Sequence, residues 1–193
     1  LIINGAMNIW QRGETFSGGT SALYTCDRFK TNTGSAFNYD ATITKSTDVP
    51  SGSGFQYSAK IDVDTTQTPT AIQNGGFGTA LEKQDVMQLA YGTSNAKTVT
   101  VSFWVKSNKT GIYSLQFQQN AQGGTGYNYI AEYTVSSSGV WEYKTITIAG
   151  NTLQTFDVAS DNYDALRILF WHAVGSDDYG TVGSWFASTA FLA

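Results

Sequence analysis

A serine-rich chain invites the question whether a nucleophile, a base and an acid could meet in it, and the only imidazole on offer is His172. It lies in Leu166-Arg167-Ile168-Leu169-Phe170-Trp171-His172, a mainly apolar run, and no nucleophile-elbow motif surrounds any serine. A structural strand histidine is the simpler reading. Glycoside hydrolysis needs two carboxylates about 5–9.5 Å apart across a cleft. Asp62 with Asp64, and Asp177 with Asp178, are the tightest acid pairs, and each reads more simply as a strand face or a turn. No catalytic residue is assigned, and the chain is expected not to be an enzyme. Cys26 is the sole cysteine, so the sequence admits no intrachain disulfide, no Cys/His zinc site and no CxxC redox pair. Beside Asp27-Arg28-Phe29 it reads as a small semi-buried residue.

Acid concentrates in the last quarter of the chain, at Asp157, Asp161, Asp164, Asp177 and Asp178. Carboxylates and backbone carbonyls of neighbouring strands can hold calcium. With no DxDxDG loop, solvated turn acids are the favoured reading; no cofactor is expected, and a structural calcium is the one that the composition admits. The sequence Gly123-Gly124-Thr125-Gly126 has neither the Lys nor the following helix of a phosphate-binding loop. Asn108-Lys109-Thr110 matches a glycosylation sequon, for which chance is the better explanation.

Aromatic residues carry the more useful hint. A sugar offers C–H faces and many hydroxyls, so its site combines an exposed Trp or Tyr with amide, carboxylate or hydroxyl partners. Period-two alternation puts Trp104 on a polar face with Ser102, and a hairpin reading of 98–118 adds Gln116 and Gln118 to that face. Trp171 falls opposite Ile168, Phe170 and Val174, next to Arg167, and Tyr127 and Tyr129 follow a glycine-rich loop whose rim they could form. These residues are the carbohydrate-binding candidates. The competing reading is that loops cover such tryptophans and most of the aromatics are core.

The elements that must position them are strands. Val99, Val101, Phe103 and Val105 alternate with polar residues; a turn cluster at 107–111 follows, then a second alternating run at Tyr113, Leu115 and Phe117, giving the predicted hairpin. Similar runs occur at 38–45, 55–63, 127–135, 141–148 and 166–174. Strands at this spacing predict an all-β, antiparallel sandwich or barrel. The stretch 81–89 fits a short helix or an extended edge segment equally well, and the long irregular regions are 11–24 and 119–126. At 193 residues, with no repeat, linker or charge block, a single domain is expected. Charged residues are 13% and the formal charge is -4, which leaves no basic footprint for nucleic acid. No apolar run approaches the ~20 residues that span a bilayer, so no membrane insertion is expected.

Three blocks carry a resemblance. They are Ile3-Asn4-Gly5-Ala6-Met7-Asn8-Ile9-Trp10-Gln11-Arg12-Gly13, continued by Phe16 and by Tyr24-Thr25-Cys26-Asp27-Arg28-Phe29; Leu81-Glu82-Lys83-Gln84-Asp85-Val86, continued by residues 92–97 and 99–107; and Trp141-Glu142-Tyr143-Lys144-Thr145-Ile146-Thr147-Ile148. Together they resemble the jelly-roll module of bacteriophage virion proteins found in tail fibres and other appendages, and more widely the β-sandwich carbohydrate-binding modules. The resemblance implies a non-enzymatic structural or receptor-binding role on an extracellular particle. Its partners would be other virion proteins, further copies in a homo-oligomer (a trimer among the options) and host cell-surface glycan. It further suggests that Asn4, Trp10, Arg12, Asp27 and Arg28 form a buried polar brace near the N-terminal strand. A module of a secreted polysaccharide-active enzyme and a capsid decoration protein without a ligand are the alternatives. Proteins of this kind usually continue past a segment like Phe191-Leu192-Ala193 into a last strand, so the sequence is expected to miss one.

Overall fold

Alternation becomes pairing in a computed structural model that describes residues 1–19, 22–34, 40–120, 126–156 and 164–187. Among the described residues the strands are β1 (Thr15–Ser17), β2 (Phe29–Gly34), β3 (Ala41–Ser46), β4 (Ser58–Val63), β5 (Asn74–Glu82), β6 (Val99–Val105), β7 (Gly111–Gln119), β8 (Tyr127–Val135), β9 (Glu142–Ile148), β10 (Asp164–Val174) and β11 (Trp185–Ala187). The stretch 81–89 resolves as the single helical turn α1 (Lys83–Val86) and a 3-10 turn at Met87–Leu89. Among the described residues these strands pair antiparallel throughout, with one isolated parallel bridge between Ile130 and Val182. The expectation of an all-β antiparallel fold therefore holds, with a sandwich-like layering.

One layer is a six-stranded sheet in the order β11-β8-β7-β10-β5-β2. Opposite it lie two smaller sheets, β1-β3-β4 and β6-β9. Strand period two decides which side chains fill the space between the layers. Val101 and Ile148 of the β6-β9 sheet pack with Leu115, Phe117, Leu166 and Ile168 of the large sheet. Phe103 closes this core edge-on, 5.0 Å from Tyr133 and 4.9 Å from Phe170 between ring centres. A second core joins Ile43 of β3 to Phe29 and Phe77 of the large sheet, with Trp10 and Cys26. Burial pushes the Cys26 thiol up to about 12, so it stays a protonated, small apolar filler.

The two small sheets are tied by Asp48. Its Oδ2 accepts from Lys106 Nζ at 2.5 Å and its Oδ1 from Trp141 Nε1 at 2.9 Å. Those two hydrogen bonds, Lys106 first, hold the Asp48 carboxyl below the usual carboxylate range.

The predicted 98–118 hairpin does not form. β6 pairs with β9, whereas β7 pairs with β8 and β10, so the chain crosses from one layer to the other at 106–110. The physical reason is that both β6 and β7 carry an apolar face that must be buried, and facing each other across the core buries both at once. A Gly-rich strand that alternation does not reveal, β5, runs next to the centre of the large sheet. A Cβ on Gly76 would stand 2.6 Å from the Trp171 ring and 2.7 Å from the Phe170 carbonyl oxygen, and one on Gly78 would meet the Ile168 carbonyl and stand 2.7 Å from Leu169 Cδ2. The glycines are thus what lets Trp171 and Leu169 lie flat across β5.

Candidate functional site

Because Val99, Val101, Phe103 and Val105 of β6 face the core, the residues between them face outward. Their partners in register on β9 do the same, and the pairs are Thr100 with Thr147, Ser102 with Thr145 and Trp104 with Tyr143. The hydroxyls of the first two pairs lie 3.4 Å apart. The Trp104 and Tyr143 rings are 5.3 Å apart, tilted by 52°, and stay 37% and 56% exposed. Next to them stands Trp141, whose ring lies 6.0 Å below the Lys106 ammonium and whose indole N–H is fixed by Asp48. An exposed strip thus runs from aromatic rings to a ladder of hydroxyls on a rigid two-stranded support. Such a strip can take the C–H face of a sugar on the rings and its hydroxyls on the threonine and serine oxygens.

Of the candidate residues, Trp104 alone belongs to this strip. Trp171 is not a surface platform: it is 3% exposed, and its Nε1 donates to Gln116 Oε1 at 2.8 Å. Gln116 in turn donates from Nε2 to Asn128 Oδ1 at 2.8 Å and is fully buried. Gln118 is buried as well and accepts from Arg167 Nη1 at 3.1 Å, while Arg167 Nε donates to Asp164 Oδ2 at 2.6 Å. β10 lies between β5 and β7 in the middle of the large sheet, Leu166, Ile168, Leu169 and Trp171 are all buried on it, and the buried polar residues beside them find protein partners. Tyr127 and Tyr129 are half-buried on β8; Tyr129 packs against the core and lies 5.7 Å from Trp185. Tyr143 and Trp141 are the residues that sequence reasoning did not select. Their alternation with Glu142 and Lys144 carried the signal, but it needed the β6-β9 pairing to become a site.

The N-terminal motif residues form a network of a different kind from the one expected. Asn4 Nδ2 donates to the Ile9 and Asp27 carbonyls, and its Oδ1 accepts from the Asn8 and Ile9 amides, all at 3.0 Å. Trp10 Nε1 donates to the Met7 carbonyl at 2.6 Å. The Asp27 carboxylate accepts from the Gln11 amide at 3.0 Å and from Arg12 Nη1 at 3.1 Å. Arg28 turns away to Glu82 of β5 at 3.4 Å. Trp10 is buried and Asn4, Asp27 and Arg28 are half-buried, whereas the Arg12 side chain is 55% exposed, and the network holds a turn whose Asn4 and Met7 adopt φ of 57° and 54°.

His172 is exposed at the irregularity of β10 between Trp171 and Ala173. Asp62 is exposed and pairs with Lys60 at 2.7 Å, and Asp64 accepts from Thr42 at 2.7 Å. Asp178 is buried and accepts from Asn74 Nδ2 at 2.9 Å, while Asp177 is exposed. Among the described residues no three His, Cys, Asp or Glu side chains gather as a metal site. Asp157, Asp161 and the Phe191-Leu192-Ala193 segment lie outside the described residues. No protein-family model, no curated protein and no solved structure matches the chain.

Proposed function

We propose that the chain is a non-enzymatic structural module of a bacteriophage virion, of the tail-fibre or appendage kind, that makes weak contacts with host surface glycans through the outer face of β6-β9. The observation that carries the glycan contact is the exposed Trp104–Tyr143 pair continuous with the Ser102/Thr145 and Thr100/Thr147 hydroxyls. The virion assignment is supported by the three sequence blocks, and the antiparallel layers suit the jelly roll that this resemblance implies. A site of millimolar affinity is worth about -4 kcal/mol. Many copies on one particle raise avidity by roughly 10²–10⁴ without new contacts. Low charge fits that task, since a hydroxyl-rich ligand is met by hydrogen bonds and ring faces. Packing into a homo-oligomer beside other virion proteins completes the reading.

A reconstruction of the source particle tests the virion assignment. Density for this chain in a fibre or appendage is the expected result, and absence of the chain from purified particles overturns it. The glycan contact is tested separately by removing Trp104 and Tyr143.

A further inference from the structure

The chain carries a formal charge of -4, yet basic residues gather around one exposed tyrosine. A depression of about 510 Å³ is lined by Ile9, Gln11, Arg12, Tyr24, Asp27 and Arg28. Tyr24 is 51% exposed and forms an isolated bridge with Lys30 at the β2 edge of the large sheet. The Arg12 guanidinium stands 5.3 Å and the Lys30 ammonium 5.8 Å from the centre of its ring. Two cations, Arg12 and Lys30, therefore stand against one tyrosine ring, and Arg28 lines the same depression, with Asp27 and Glu82 as the acids bonded to the two arginines.

Neither acid neutralises the depression fully. The two oxygens of Asp27 are occupied by Arg12 and by the Gln11 amide, so this carboxylate positions the guanidinium at the rim. Arg12 uses only Nη1 in that bond, so its remaining N–H groups are not engaged by Asp27. Glu82 holds Arg28 through a single oxygen at 3.4 Å to both terminal nitrogens, a loose contact. Arg28, which also lines the depression, adopts φ of 73°, an unusual conformation for a side-chain-bearing residue. Burial, and then the like charge of Arg167, pull the Lys30 ammonium below its ordinary value, with Asp164 opposing them.

We propose that this depression is a second binding site, selective for a carboxylated sugar such as a uronate residue, with Arg12 taking the carboxylate and Tyr24 forming the apolar wall for the ring. A guanidinium fork matches a carboxylate in geometry as well as charge. A bare phosphate would use the cations but not the aromatic wall, and a neutral sugar the wall but not the cations. The site is remote in sequence from the β6-β9 strip and stands whether or not that strip binds glycan.

Titration of the isotopically labelled chain with trigalacturonate, and with its methyl ester as the uncharged control, tests this. Shifts at Tyr24 and Gln11 are expected with the acid, together with affinity at least about tenfold weaker for the ester and a marked loss when salt is raised to about 0.5 M. Arg12→Gln and Tyr24→Leu should each weaken acid binding by about tenfold or more while the thermal midpoint is kept. Trp104→Ala should leave it unchanged, which separates failure here from failure of the β6-β9 strip. Equal binding of acid and ester, full binding by Arg12→Gln, or shifts that avoid Tyr24 each overturn the proposal.

Discussion

Asn4 makes more of its small side chain than any other residue in the N-terminal motif. It receives or gives four hydrogen bonds and sits in the left-handed region, where asparagine is tolerated better than most residues. Asn4→Ala removes those bonds and keeps the strained backbone, and a loss of about 2 kcal/mol is expected by denaturant melting. Asn4→Gly removes the same bonds but relaxes the backbone, so its loss should be smaller. A midpoint unchanged by Asn4→Ala would contradict this role. The motif made Asn4, Trp10 and Asp27 legible as one group, because a turn rich in short polar residues must satisfy its own backbone. Trp171 was not legible in the same way. Its place opposite Ile168, Phe170 and Val174 suggested solvent, whereas it is buried and bonded to Gln116, and alternation alone does not distinguish a wet face from a satisfied buried one.

At the scale of elements, pairing decided what periodicity left open. The alternating runs at 99–105 and at Tyr113 to Phe117 do lie in strands, β6 and β7, yet their short polar connection spans the two layers and does not close a hairpin. β5 escaped notice because Gly75, Gly76 and Gly78 dilute its alternation, and their use is visible only once Trp171 and Leu169 lie over them. Gly78→Ala should therefore cost about 1–3 kcal/mol or prevent folding. Gly19→Ala, where a Cβ meets nothing within 4 Å, is the near-neutral control. Equal midpoints for the two variants would show that β5 has room that the geometry denies. The link between the small sheets gives a pH signature. Asp48 has a folded-state value below the ordinary 3.8, so its contribution is present above that value and is lost as the pH falls through the depressed one. The thermal midpoint gap between the wild type and Asp48→Asn should accordingly close as the pH is lowered from about 6 to about 2. A gap that persists at the acid end would remove the Asp48 tie from the account.

The whole molecule presents two very different sides of its polarity. Inside the large sheet, amides and an indole satisfy each other; on β6-β9, hydroxyls and rings face solvent. Composition announced the neutral, hydroxyl-rich surface, and Trp104 was legible on it, but Tyr143 and Trp141 joined it only through long-range pairing. The most direct measurement is binding of the purified chain to a printed array of neutral bacterial surface glycans, compared with the Trp104→Ala/Tyr143→Ala double variant. Exposed side chains on a rigid ladder should be removable within roughly 0.5 kcal/mol of stability each. The account predicts binding by the wild type and loss of that binding in a double variant that melts like it. No glycan bound by the wild type, or undiminished binding by the variant, would contradict it.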